Sequence, residues 1–516
     1  MKNYQSISFS LLFLCAQFAV AQRGSQKTQK EPAPIIQSFV EEVENNSQLE
    51  TLAFELIDVI GPRLVGSPAM EQANDWTVAK FQSWGIDAHK EQFGQWDSWQ
   101  RGISHIDMTY PRIKSLEGTQ LAWSPATKKP VEAEVIYMPE FKSETEFKNW
   151  LPKVKGKFVL IDQYQRWGRP DYQMKEFARE EDYQLIKNQR QEDEDAYKAS
   201  VKNTGLSKNE LAESIENAGA AGIIGSYWTG IMGANRIFGA KTKNIPTLDL
   251  SVEDYGLLYR LAKNNKAPKI KVHTESKFNG KAKSFNTIAV IPGKEKPNEY
   301  VLLSAHLDSW DGAGGATDNG TGTITMMETA RVLKKLYPNN KRTIIIGLWG
   351  SEEQGLNGSR AFVKDNPEII ENLQVVFNQD NGTGRIANIS GQGFLHSYEF
   401  LGRWLDALPE QQRKNIETTF PGMPAGGGSD NASFTAAGIP GIGLSSLNWG
   451  YFGYTWHTNR DTYDKIMFNE VRNNVIVAAT MVYMACEEAG QISREKRVMP
   501  EDSEWPEVKE PKRDGN

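Results

Sequence analysis

The residues of this chain that could do chemistry gather in five short segments. His306-Leu307-Asp308 follows one apolar run, Glu352-Glu353 a second and Asp380 a third. A glycine-rich loop, Gly312 to Gly320, carries Asp318-Asn319, and a late His457 stands in Tyr454-Thr455-Trp456-His457-Thr458. Singly, each has an ordinary explanation: an internally bonded His-x-Asp pair, a solvated Glu-Glu, an Asp capping a helix. Their joint placement at successive strand ends carries the weight. Imidazole and carboxylate without thiolate suit Zn²⁺, with Mn²⁺ or Co²⁺ as alternatives. Two imidazoles and three carboxylates suffice for two ions bridged by one carboxylate. Such a pair, about 3.5–4 Å apart, can activate a water and clamp a developing oxyanion. A carboxylate left out of ligation can act as general base, and adjacent acids such as Glu352-Glu353 can divide those roles. The other histidines, His89, His105, His273 and His396, lack such company and read as structural. There is no His-Glu-x-x-His, no Gly-x-Ser-x-Gly elbow and no phosphate loop ending in Gly-Lys-Ser/Thr.

The elements that must position these residues are strands. Asn286–Pro292, 300–305, 343–349 and 375–378 are near-continuous apolar runs, as expected of strands buried on both faces. Helices follow them, among them Thr321–Leu336 and Asn469–Glu488. The alternation predicts an α/β fold, a mainly parallel mixed sheet with helices on both faces. In such sheets ligands bind beyond the carboxyl ends of the strands, which is where the acids and His306 fall. The stretch 117–282 differs. Short β-type runs (131–137, 157–161, 223–224, 246–250, 270–273) alternate with turns, and a highly charged segment at 175–198 reads as a solvated helix. We divide the chain into 22–116, the first part of the α/β domain, an inserted β-rich domain at 117–282, and the main part of the α/β domain at 283–499. A loose lead-in at 22–48 and a mobile charged tail at 500–516 complete the expectation. The insert leaves and rejoins close to the His306 strand, so it is expected to cover one wall of the crevice.

The 516 residues carry 59 basic and 65 acidic side chains, net −6, which excludes nucleic-acid binding driven by bulk charge. Lys2, the apolar run Ile7–Ala21 and Ala19-Val20-Ala21 read as a secretory signal peptide over 1–21. The run is too short and too interrupted for a membrane anchor, which needs about 20 apolar residues. The expected location is therefore secreted or periplasmic, with no stable membrane insertion. Removal of the signal takes Cys15 with it and leaves Cys486 alone, without an internal disulfide.

Three runs then carry a resemblance: Ser304-Ala305-His306-Leu307-Asp308-Ser309-Trp310-Asp311, Gly315-Ala316-Thr317-Asp318-Asn319-Gly320 and Ser351-Glu352-Glu353-Gln354-Gly355. Together they resemble the di-zinc exopeptidases of metallopeptidase family twenty-eight. Gly61–Pro68 and Asn286–Gly293 are similar to the same family. Ala218–Ile224 with Ile245-Pro246-Thr247 resembles a protease-associated domain. The resemblance implies two Zn²⁺ per chain. His306 and Asp380 would hold one, Glu353 and His457 the other, and Asp318 would bridge them. Glu352 would be the general base and acid. Asp308 would accept a hydrogen bond from His306 and fix its orientation. The run Gly426 to Asp430, with Ser429, resembles a segment bordering the substrate pocket. This chain departs from the family at Asn319, where many relatives have a second Asp. It departs again at Trp456, where some have a Tyr that hydrogen-bonds the oxyanion; Tyr451 and Tyr454 are the substitutes. The implied partner is a peptide substrate, and a homodimer is compatible with the family.

The activity implied is hydrolysis of dipeptides or short peptides, because Ser309-Trp310-Asp311 resembles a carboxypeptidase branch of the family. Aminopeptidase action is the alternative. Less favoured are an inactive receptor-type binding protein, against which the full ligand set speaks, and a single-zinc glutaminyl cyclase, against which the insert speaks.

Overall fold

Alternate residues of three strands point into two separate cores. Val301, Leu303, Ala305, Ile344, Ile346, Val375 and Phe377 join one cluster, packed against helices Pro34–Asn46, Pro68–Ser83, Thr321–Leu336 and Phe468–Glu487. Leu302, Ile345, Trp349 and Val376 join another, on the side of Asn357–Asp365 and Asn431–Ala436. Burial on both faces is why these strands lack alternation, and helix–sheet–helix layering is the expected α/β fold. The structure, a computed structural model, describes residues 32–515; the expected signal segment lies outside the described residues. No helix among them is long and apolar enough to cross a membrane.

Lys296–His306 lies between Arg342–Trp349 and Leu373–Asn378, parallel to both, and Gly441–Ser446 continues the parallel set. The register sets Trp349 opposite His306 and Asn378 opposite Ser304. The three chains therefore leave the sheet at one level.

On the other side of Arg342–Trp349 runs Lys269–Ile291, antiparallel. The expected runs at 270–273 and 286–292 belong to this one 23-residue strand, which passes unbroken through residue 282. Its first part pairs with Val131–Tyr137, the edge of a β-rich region built from Phe158–Leu160, Gly222–Gly225, Thr247–Leu250 and Gly118–Gln120. Along its length it pairs with Asp87–Tyr110. That 24-residue strand is invisible to hydropathy patterning, because it is polar, carries register shifts and takes its regularity from its partner.

Two expectations at the chain ends are corrected. From residue 34 onward the lead-in is not loose: Pro34–Asn46 is a helix that buries Ile36, Phe39 and Val43, each worth about 1.5–3 kcal/mol of burial. Its apolar spacing was masked by charged neighbours. The tail is not free either. Trp505 Nε1 donates to the Thr435 carbonyl at 3.2 Å, Arg513 pairs with both Asp365 oxygens at 2.7 and 2.9 Å, and Lys512 N–H donates to Asn357 at 2.8 Å. Composition alone reads such a segment as solvated, whereas matched surface charges hold it down.

Candidate metal centre

His306 is the last residue of its strand, and Gly350–Glu353 and Gln379-Asp380 are the first residues past theirs. Register alone thus brings them to one rim. Asp318 arrives on the turn Ala316–Gly320, ahead of helix Thr321–Leu336, where Asp318 and Asn319 have non-helical backbone. That turn starts at Gly315, with φ +60°, where an added Cβ would lie 2.4 Å from the Ser309 side chain; only glycine fits. His457 comes from the loop after Tyr451–Tyr454.

The five side chains form two triads that share one member. His306, Asp318 and Asp380 present ligand atoms within 4.8 Å of one another, as do Asp318, Glu353 and His457. His306 Nε2 is 2.9 Å from Asp380 and 3.4 Å from Asp318 Oδ1. His457 Nε2 is 2.8 Å from Glu353 and 3.2 Å from Asp318 Oδ2. Each oxygen of the shared carboxylate thus faces a different imidazole. Glu353 Oε1 is buried without a hydrogen-bond donor, and Asp318 Oδ2 has only the His457 ring beside it. Buried carboxylate oxygens with so few donors suit ligation, and with two imidazoles they fit a pair of divalent cations.

Asp308 does something other than expected. The His306 Nδ1 partner is the Asp308 backbone carbonyl at 3.0 Å, with the carboxylate at 3.6 Å. The carboxylate accepts instead from the backbone N–H groups of Glu352 and Glu353, at 3.1 and 3.3 Å. It therefore holds the Glu-Glu turn, while its carbonyl sets the His306 ring with the Nε2 lone pair toward the site. Asn319, the first departure, donates to the Gln379 carbonyl at 2.9 Å and accepts from Gly322 N–H. A carboxylate could not make the first bond. Trp456, the second, stacks on His457 with centroids 3.9 Å apart, and Phe238 and Trp310 meet the same ring edge-on. On the Nδ1 side rings, not a hydrogen bond, pack this imidazole, and Nδ1 is buried and unpaired.

Sequence reasoning missed three supports. Asp461 accepts from the Thr317 and Asp318 N–H groups at 2.7 and 3.0 Å and so sets the bridging turn. Arg63, fully buried, donates to the Leu307, Gly314 and Gly315 carbonyls; the turn-rich 61–68 run was its only signal. Arg236 and Ile237, from the 117–282 stretch, grip the His457 loop. Arg236 donates to the Trp456 and Phe452 carbonyls at 2.9 and 3.0 Å, and Ile237 N–H to the His457 carbonyl at 2.8 Å. Ile237 also lines a cavity of about 10 Å³ with Asp318, Glu353, His457 and Asp461, near the volume one water needs. Part of the 117–282 stretch therefore forms a wall of the site.

The electrostatics describe an excess of buried acid. Burial, with the Asp318 charge adding and His457 opposing, pushes Glu353 up to about 8. Burial likewise takes Asp430 and Asp461 to about 7. Glu352 stands well above the carboxylate range, through burial against His306 and with Asp380, Asp430 and Glu353 adding. For Asp318, burial is outweighed by hydrogen bonds from the two histidines, which hold it low. His457 rises to about 9 because its bonds to Asp318 and Glu353 overcome burial. Divalent cations would offset such an excess.

On the substrate side, Ser429 accepts from Asn378 Nδ2 at 2.8 Å, and Asp430 is fully buried with both oxygens unpartnered. Tyr451 is buried, and its hydroxyl is raised by burial and then by the charges of Asp318 and Asp380. The Tyr454 ring lies under Lys465 instead. Ser309 Oγ accepts from Arg63 N–H, Trp310 packs on His457, and Asp311 pairs with Arg101.

Residues 286–482 match the model described as Peptidase family M28. The chain is 28% identical over 466 residues to carboxypeptidase Q of Homo sapiens, covering 88% of this chain and 90% of that protein. It is carboxypeptidase Q that the Ser309-Trp310-Asp311 run resembles. Among solved structures, a peptidase M28 precursor from Shewanella amazonensis SB2B superimposes with a TM-score of 0.65 at 25% identity, covering 90% of this chain and 98% of that one. A zinc aminopeptidase from Bacillus subtilis superimposes with a TM-score of 0.56 at 19% identity, covering 87% and 97%; at that identity the likeness concerns the fold.

Proposed function

We propose that this chain is a metallo-exopeptidase of the peptidase family M28 type, which hydrolyses dipeptides or short peptides with two zinc ions in the centre. The observation that carries the reading is Asp318, one carboxylate shared by two ligand triads, each with its own histidine. His306 and Asp380 are assigned to one ion, Glu353 and His457 to the other. Zinc bound there would supply Lewis acidity and a water acidic enough to lose its proton near neutral pH.

The chain's own residues do the rest. Glu352, tied to no histidine and held through its backbone by Asp308, takes the proton from the attacking water and delivers it to the leaving amine. Tyr451 donates to the developing oxyanion, in place of a Tyr before His457. Asp461 and Arg63 keep the bridging turn and its neighbours in register. The aromatic cage of Trp456, Phe238 and Trp310 keeps water from the far side of His457.

The division of the chain at 117 and 282, with a protease-associated type of insert, belongs to this reading, as does export by residues 1–21. The insert walls the crevice and keeps folded chains out. Elemental analysis should give two zincs per chain. Free dipeptides, assayed beside N-blocked and C-amidated forms, test which terminus is read. One zinc, or none, in fully active protein would overturn the reading.

A further inference from the structure

The cavity that Asp318, Glu353 and His457 line holds about 10 Å³, so a substrate side chain must find room elsewhere. A cavity of about 510 Å³ adjoins it, within the range of about 300–1,000 Å³ usual for ligand sites. Trp310 stands between the two. Its ring lines the small cavity, with its centroid 6.1 Å from that of His457, and it meets Trp123 of the large cavity edge-on at 6.0 Å. Gln354, the residue after Glu353, lines the large cavity as well. By contrast, a cavity of about 500 Å³ beside Tyr137, Trp150 and Ala262 shares no residue with either.

Aromatic rings dominate its lining. Trp96 and Phe278 come from the paired strands Asp87–Tyr110 and Lys269–Ile291, and Trp123 from the 117–282 stretch. Trp123 has φ +58°, a strained setting that persists only where its surroundings impose it. Its Nε1 donates to the Asp97 carbonyl at 3.3 Å, and Gly239 passes so near that an added Cβ would lie 3.1 Å from the ring. The end of the chain backs Trp96: Gln95 N–H donates to the Arg513 carbonyl at 2.6 Å and Gly515 N–H to the Gln95 carbonyl at 3.1 Å. That strap sets Lys512 on the lining. Lys512 and Lys243 are exposed there, and among the described residues no carboxylate pairs with either. Asp97 is already matched by Lys281 at 2.9 Å, so the surplus charge of the lining is positive. At the boundary with the metal centre, Trp310 Nε1 and both amide atoms of Gln354 are buried without partners. A peptide brings the carbonyl and N–H that such groups lack.

We propose that this cavity is a side-chain subsite of the metal centre, which takes the bulky apolar or aromatic side chain of a residue flanking the scissile bond and turns away basic ones. This rests on the exopeptidase reading above. Trp96, Trp123 and Phe278 offer ring faces and edges on which a guest ring can stack or an aliphatic chain can lie. Lys243 and Lys512 repel an Arg or Lys side chain entering between them. Of the lining, Gln354 alone falls within residues 286–482. The selectivity therefore belongs to the long strand pair, the 117–282 stretch and the tail, and not to the segment that carries the candidate ligands.

The test compares kcat/KM of the zinc-loaded full chain on two dipeptide series, X-Ala and Ala-X, with X as Gly, Ala, Leu, Phe, Glu or Arg. In one series wild type should favour Leu and Phe over Ala by at least about 10-fold, the scale on which an apolar pocket discriminates, with Arg the poorest. Added salt should narrow the gap between Arg and Leu. Ala240→Trp, which fills the cavity, should cut the rates on Leu and Phe through KM while zinc content and the rates on Gly and Ala stay unchanged. Phe278→Ala, at an exposed position that folding does not depend on, should lower the Phe preference in part. Lys243→Glu should improve Arg relative to Leu. No preference in wild type, a preference for Glu over Phe, or equal losses on all X in both Ala240→Trp and Phe278→Ala overturn the proposal. Calorimetry with free phenylalanine, alanine and arginine reads the subsite without turnover. Phenylalanine-selective binding, weakened in Phe278→Ala, supports the subsite even if no peptide is cleaved, an outcome that would sink the exopeptidase reading alone. Cleavage without such selectivity in rate or binding overturns the subsite and leaves that reading standing.

Discussion

The backbone N–H of Ile237 donates to the carbonyl of His457 at 2.8 Å, and His457 has φ +54°. A non-glycine residue in that region is strained and persists where its surroundings over-determine it. Ile237 and Arg236 supply that constraint from outside the residues that match the peptidase family. A candidate ligand is thus held by the very stretch that the sequence reading sets apart.

Arg236→Ala should therefore weaken metal binding at the His457 triad selectively. Supports of this kind are worth about 10–100-fold in metal affinity. Chelator-competition titration should show one weakened site and one unchanged. Unchanged affinity at both would show that the grip is dispensable.

Glu352→Gln should keep both ions while turnover falls by at least about 10²-fold. The side chain has no histidine partner, in contrast to Glu353. Loss of an ion in this variant would make Glu352 a ligand.

Asp318→Asn should lower occupancy at both positions, whereas His457→Ala should empty mainly one. An amide cannot neutralise two cations, and each Asp318 oxygen faces a separate histidine. Elemental analysis of the two variants decides; two ions in an active Asp318→Asn enzyme would refute the bridge.

Metal removal should make stability fall as pH rises from about 5 to about 8. Glu353, Asp430 and Asp461 have folded values of about 8, 7 and 7, above their unfolded ones. In that window the folded state keeps protons that the unfolded state has lost, so raising the pH penalises folding. His457, raised to about 9, acts in the same direction, since its stabilisation is complete below its unfolded value and fades as pH climbs. Asp318 is depressed and acts below this window. Thermal melts of chelated protein across pH should slope downward, and zinc should flatten the slope. A rising slope would contradict the acid excess.

Much of the centre was legible because its ligands sit at the ends of strands that hydropathy reveals. The strand at 300–305 was visible as an unbroken apolar run, and a run buried on both faces must end at a rim. His306, Glu353 and Asp380 follow directly from that. The polar strand Asp87–Tyr110 was not legible, because its order comes from pairing along Lys269–Ile291 and not from its own pattern. The tail misled for the related reason that its charges find partners, such as Asp365 for Arg513, more than a hundred positions away.

By itself the sequence determined the layered α/β class, the five residues that meet at the rim and the chemistry their types allow. Periodicity and residue type are local properties, and the register of parallel strands carries them to one place. Only the tertiary structure decided which Asp318 oxygen faces which histidine and that the Asp308 carboxylate holds a turn and not a ring. It alone decided that a distant stretch grips His457. Those facts depend on side-chain direction and on contacts between segments far apart in the chain, which no local pattern encodes.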